Sequence, residues 1–154
     1  MQIKNTDYLK YYRVIKLFYR IKHKLTDDKI DMLIFLYSEV YFTKDKCKEY
    51  ETLMMSRRVF SSLLRDGWIN KFRSGIAFKR KTLYCLSIRS KNMVNSFYMK
   101  LNGDEIPIDP VNNRLFRRDV DQVNVAYRDM IVKMNYYIKE KKRNKDLNLV
   151  GIYD

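Results

Sequence analysis

The sequence predicts a mainly α-helical chain with one small β-hairpin, an α+β fold. Three observations lead there. Apolar residues recur on a 3- or 4-residue step through most of the 154 positions, which is the helical period. Residues that start or stop helices, such as Thr26, Thr43, Ser56 and Gly67, separate those stretches. Only WINKF and TLYCL, on either side of a basic loop with Gly75 near its tip, read as strands. Aliphatic and aromatic residues at 46% and charged residues at 32% give the balance of a folded protein, and the length suits one domain.

The first helix is expected over Thr6 to Lys24, where Tyr8, Tyr12, Ile15 and Tyr19, with Leu9 and Phe18 beside them, make an apolar stripe broken by lysines and arginines. Thr26 then caps a second helix, with Asp27 and Asp28 in its positive first turn and Leu25 stapled onto Ile30. Its buried face is expected at Ile30, Leu33, Ile34, Tyr37 and Val40 or Tyr41. Thr43 caps a short third helix, Lys44 to about Tyr50.

Ser56 is the cap candidate for the fourth. Behind it Val59, Phe60, Leu63 and Leu64 fall on one side, and Arg57, Arg58, Ser61, Ser62 and Arg65 on the other. Gly67 stops that helix. Two short helices, a glycine stop and a basic hairpin make a winged helix-turn-helix, expected over residues 25–102, with Ser87 and Ser90 opening a further helix to Leu101. Gly103, Pro107 and Pro110 break the chain.

Beyond the break, Phe116, Val120, Val123, Tyr127, Met130, Met134 and Tyr137 step by 4 and 3 in alternation, a heptad seam with Asp109 and Pro110 as cap and first residue. A helix along that stripe is about 33 Å long at roughly 1.5 Å per residue. The seam wants a partner: the first helix of the same chain, a second copy, or both. Residues 1–24 and 109–143 are therefore read as the helical dimerisation part, and 144–154 as a frayed tail.

A net charge of +14 and a pI near 9.7 favour a polyanionic partner, nucleic acid first among them, even after discounting the Lys, Asn and Tyr enrichment of an A/T-rich genome. The start MQIKNTDYLK is no signal peptide, and no run of about 18 apolar residues suits a membrane span, so a cytoplasmic protein without membrane contact is expected. Cys47 and Cys85 are distant and form no CxxC, and His23 is the one histidine, so neither a metal site, a cofactor nor a disulfide framework is expected; two buried, reduced thiols are. With no phosphate-cradling glycine loop, no nucleophile elbow and His23 read as a surface side chain, no catalytic residues are assigned and an enzyme is not expected.

Function is expected in two basic sets. The recognition helix offers Ser56, Arg57, Arg58, Ser61, Ser62 and Arg65 to phosphates and base edges, Arg57 and Arg58 first among them. The hairpin offers Arg73, Lys79, Arg80 and Lys81, cations suited to a narrow minor groove. Trp68 and Phe72, at the helix-to-strand junction, are expected to fill the core under the wing rather than stack on bases.

The order of elements resembles the MarR family of transcriptional regulators over nearly the whole chain. The matching residues are Leu25-Thr26, Ser56-Arg57 with Val59 and Leu63, Gly67-Trp68-Ile69, and Arg80 with Leu86-Ser87. Phe78 stands where that family usually carries a wing aspartate, and the turn ETLMM is longer than usual and lacks glycine. The resemblance implies a homodimer on double-stranded DNA, with recognition helices in successive major grooves and wings in the flanking minor grooves. It also implies a small aromatic effector held among tyrosines of the first and last helices. The expected function is a sequence-specific duplex-DNA-binding transcriptional regulator, a homodimeric repressor. Two alternatives stay open: a winged-helix protein-interaction module of a phage or mobile element, and a nonspecific architectural DNA binder.

Overall fold

A computed structural model describes residues 8–118 and 121–150. The described chain is mainly helical with a small two-stranded antiparallel sheet. Its order is α1 (Tyr12–His23), α2 (Asp27–Leu36), α3 (Lys44–Leu53), α4 (Val59–Arg65), β1 (Ile69–Arg73), β2 (Leu83–Leu86), α5 (Ile88–Leu101) and α6 (Gln122–Val150), with short 3-10 turns at Leu9–Tyr11 and Arg114–Phe116. The chain divides into two compact units, Lys24–Ser96 and Met1–His23 with Phe97–Asp154.

In the unit Lys24–Ser96, α2, α3 and α4 pack on one another, and α4 packs on β1. Thr43 caps α3 through its hydroxyl, which accepts from the Lys46 amide at 3.4 Å. Thr26 sits at the N-cap of α2 in extended conformation but contributes no side-chain bond; its carbonyl accepts from the Ile30 amide. The core holds Ile30, Leu33, Leu36, Phe42, Cys47, Val59, Phe60, Leu63, Trp68, Ile69 and Leu86. On α2, Ile30 and Leu33 are buried as expected, but Ile34 and Tyr37 are half-buried and Met32 and Leu36 take the interior beside them, and the end of the expected face departs further. The helix stops at Leu36, Val40 and Tyr41 are exposed, and Phe42 is buried instead. The cause is a switch of period: Phe42 pairs as an antiparallel bridge with Tyr84, amide to carbonyl in both directions at 3.0 and 2.8 Å, so extended alternation replaces the helical step.

Gly67 ends α4 as expected. It has a φ of +77°, its amide reaches the Leu64 carbonyl at 3.3 Å and the Trp68 amide reaches the Leu63 carbonyl at 2.9 Å, the two bonds of a Schellman stop. Ser87 caps α5 by accepting the Ser90 amide at 3.2 Å, while the Ser90 hydroxyl donates to the Trp68 carbonyl at 2.6 Å, tying the helix start to the head of β1.

In the unit Met1–His23 with Phe97–Asp154, α1 and α6 pack together around Val14, Ile15, Phe18, Tyr19, Phe97, Leu115, Ile131, Met134 and Ile138. The long C-terminal helix differs from expectation at both ends. It begins at Gln122, because Asp109 accepts from the Asn112 amide at 2.9 Å and from its side chain, and Asn113 accepts from the Leu115 amide at 3.1 Å. Those side-chain bonds build turns in place of a first helical turn at Asp109–Pro110. Of the tail expected to fray, 144–154, the part through Val150 continues as helix, and 151–154 lie outside the described residues.

The heptad seam is divided. Met134 is buried, Tyr127 is half-buried, Phe116 lies half-buried in a 3-10 turn, and Val120 is outside the described residues. Val123, Met130 and Tyr137 are 71%, 42% and 42% exposed. The intrachain core takes the neighbouring stripe, Ile131, Met134, Asn135 and Ile138. Asn135 earns its place there by hydrogen bonding alone: its Oδ1 accepts the Ile106 amide at 3.0 Å and its Nδ2 donates to the Ile106 carbonyl at 2.8 Å.

Candidate nucleic-acid interface

Arg57 and Arg58 precede α4 rather than lying on it. Arg58 occupies the N-cap position in the left-handed region, at φ 62°, and both side chains are exposed. Ser56 is not the cap that the sequence suggests. Its hydroxyl donates to Asp28 Oδ2 at 2.6 Å, fastening the turn to the start of α2. One amide of the α4 terminus is instead capped by Glu51 of α3, whose carboxylate accepts from Phe60 at 2.8 Å. The five-residue turn Met54–Arg58 explains this arrangement. With Met55 also left-handed at φ 54°, it carries Ser56 away from the helix axis and lets the long side chain of Glu51 reach in.

On α4 itself the division of faces is largely as the spacing predicts. Val59, Phe60 and Leu63 are buried and Ser61 and Arg65 exposed, while Leu64, expected on the buried side, and Ser62, expected on the outer side, are both half-buried. Arg65 is engaged locally: its Nε meets Asp66 Oδ1 at 3.2 Å and a terminal nitrogen donates to the Ser62 hydroxyl at 3.3 Å. The bond from Arg65 to the Asp66 carboxylate holds that carboxyl below its ordinary pKa. Six candidates thus sort into three that are exposed and not held by a described residue, Arg57, Arg58 and Ser61, and three already committed, Ser56, Ser62 and Arg65.

The hairpin is longer than its strands. Gly75 lies on one arm, and a Cβ there would sit 2.7 Å from both the Arg80 carbonyl oxygen and the Thr82 nitrogen, so the two arms close only around a glycine. The turn runs from Ile76 to Arg80, bridged by the Ile76 amide on the Arg80 carbonyl and by the Lys79 and Arg80 amides on the Ile76 carbonyl, each at 3.0 Å. Its apex is Phe78, at φ 59° and fully exposed. Arg73, Lys79, Arg80 and Lys81 are exposed. Lys81 pairs with Asp45 in the first turn of α3, and this hydrogen bond and charge hold the Asp45 carboxyl below its usual range. From Gly67 to Gly103 the sequence has no acidic residue.

The aromatic residues under the hairpin behave differently from one another. Trp68 is buried, as expected, with the Arg89 guanidinium 3.7 Å above its ring and Arg89 donating to the Asp66 carbonyl at 3.0 Å. Phe72 is not core: it is 51% exposed and stacks on Tyr41 with ring centroids 4.1 Å apart. The register explains the difference. Lys71 pairs with Tyr84 and Arg73 with Leu83, leaving Phe72 as the extra residue of a β-bulge that turns it out of the core.

Of the two thiols, Cys47 is buried and Cys85 half-buried, and both are free. Burial first, and the Glu51 charge second, push the Cys47 pKa up to about 12. His23 is half-buried, its ring parallel to that of Tyr19. Among the described residues no helix is long and apolar enough to cross a membrane. Glu51 and the Phe42–Tyr84 bridge are absent from the sequence reading. The run Tyr41-Phe42-Thr43 between two helices is a local signal for the bridge, whereas nothing local marks a cap reaching across nine residues. Compared with protein-family models, with curated proteins and with solved structures, the chain finds no match.

Proposed function

We propose that the chain is a winged helix-turn-helix protein that binds duplex DNA in a sequence-specific manner and regulates transcription as a homodimeric repressor. One observation carries the reading. Within the unit Lys24–Ser96, a helix locked by Val59, Phe60 and Leu63 exposes Ser61, the turn leading into it exposes Arg57 and Arg58, and the hairpin that follows exposes Arg73, Lys79 and Arg80 on a stretch without acids. The bridge from Phe42 to Tyr84 adds support, because it braces the hairpin against the segment that links α2 to α3.

In this reading the turn before α4 lies at the mouth of the major groove. Arg57 and Arg58 supply charge-assisted hydrogen bonds to a guanine edge or its flanking phosphates, Ser61 reaches a base edge, and Arg73, Lys79 and Arg80 hold phosphates beside the minor groove. Lys81 contributes less, since duplex binding must compete with Asp45 for it. The exposed stripe Val123, Met130 and Tyr137 on α6 is the surface for a second copy, which sets two half-sites about one helical turn apart.

Reversing charge at Arg57 and Arg58 together tests the reading. Duplex affinity at near-physiological salt falls by on the order of a hundredfold or more, and the double variant keeps the wild-type thermal unfolding midpoint because both side chains are exposed. Unchanged affinity in a folded double variant counts against this face as the interface.

A further inference from the structure

We propose that Phe78 is an intercalating wedge: the hairpin tip enters the minor groove and the Phe78 ring inserts between adjacent base pairs, kinking the duplex. The inference rests on the duplex-DNA reading above and adds to it a specific deformation of the ligand.

Phe78 is the most exposed large apolar side chain among the described residues, and it takes a left-handed backbone conformation that non-glycine residues seldom adopt. Water is a poor environment for such a ring, and the turn holds it there by three backbone bonds across Ile76–Arg80 rather than folding it back. The hairpin arms are drawn together at Gly75, so the apex is narrow. Lys79 and Arg80 follow directly and Arg73 stands on the opposite arm, all exposed, so both arms that lead to the apolar tip carry cations.

An aromatic apex on a hairpin whose arms carry exposed cations matches one polyanion chemistry closely. Phosphates on either side of a groove meet the cations, and the base stack between them offers a planar apolar slot that one ring fills. An anionic bilayer would also attract the cations. Stable anchoring to a bilayer requires a far larger apolar area than Phe78 and the half-exposed Ile76 provide.

The test uses the full chain and an A/T-rich duplex of about 30 base pairs labelled at its ends for energy transfer, a length over which a kink is readable. Wild-type protein at saturation brings the ends closer. Phe78→Gly, which relieves the left-handed strain, still saturates the duplex with the same salt dependence, binds on the order of tenfold more weakly and leaves the ends apart. Phe78→Leu restores much of the kink. Equal end-to-end transfer for wild type and Phe78→Gly overturns the wedge while leaving the DNA reading intact. No duplex binding by wild type at about 0.15 M salt overturns both. Binding to phosphatidylserine vesicles that needs Phe78, with none to the duplex, overturns both in favour of a membrane.

Discussion

The carboxylate of Glu51 accepts the backbone amide of Phe60 at 2.8 Å, so the helix bearing Ser61 and Arg65 is capped from the helix before it. A seven-residue helix cannot sustain itself by propensity, and its position depends on this bond together with its buried face.

Replacing Glu51 by alanine leaves the Phe60 amide without its acceptor. The expected loss is about 1 kcal/mol of unfolding free energy, as for other lost caps, and Glu51→Gln, which retains an acceptor oxygen, loses less. Urea denaturation followed by circular dichroism measures both, and equal losses for the two variants would show that charge, rather than the cap, is at work.

Cys47 gives a pH dependence with a defined sign. Its folded pKa, pushed up to about 12 by burial and then by Glu51, lies above the unfolded value of about 8.5. The fold therefore favours the neutral thiol, and this contribution is complete below the unfolded pKa and is lost as pH rises toward the folded one. Stability falls between about pH 8.5 and 12, and Cys47→Ser or Cys47→Ala removes this component of the fall. Thiol-reactive probes at neutral pH modify the half-buried Cys85 first and reach Cys47 only on unfolding.

Asn135, itself buried, satisfies both backbone groups of the buried Ile106. Asn135→Leu fills similar space but strands a buried amide and a buried carbonyl, at a cost of about 1–3 kcal/mol for each group left unsatisfied. Thermal and urea unfolding read the loss; a leucine variant as stable as wild type would mean that the segment around Ile106 relaxes onto water.

Dimerisation through α6 predicts that Met130→Asp and Tyr137→Asp together yield a folded monomer. Both side chains are exposed within one chain, so helix content is unaffected while sedimentation changes from a dimer to half its mass. A wild-type chain that sediments as a monomer at tens of micromolar removes this part of the proposal.

Much of the helical architecture is legible in the sequence because its signals are local. Thr43, Gly67 and Ser87 act within four residues of themselves, and the alternation of Val59, Phe60 and Leu63 with Ser61 and Arg65 is a single-helix property. What escapes depends on contacts between distant residues. Ser56 looks like a cap until Asp28 takes its hydroxyl, and Phe72 looks like core until the bulge opposite Leu83 and Tyr84 turns it outward. The heptad from Phe116 to Tyr137 has the same weakness. Periodicity marks a stripe, but Asp109, Asn112 and Asn113 delay the helix, and Ile131 and Ile138 compete successfully for the interior. The basic candidates were visible as residue types, whereas their division into exposed Arg57 and Arg58 and engaged Arg65 and Lys81 required the partners Asp66 and Asp45.

Selection of random duplex DNA by the purified full-length protein, near physiological salt and with excess nonspecific competitor, tests the central claim most directly. The proposal predicts enrichment of an inverted repeat with half-sites about one turn apart, lost when Arg57 and Arg58 are reversed in charge. A folded protein that enriches no motif would contradict sequence-specific regulation and leave the basic face to a protein partner or to architectural binding.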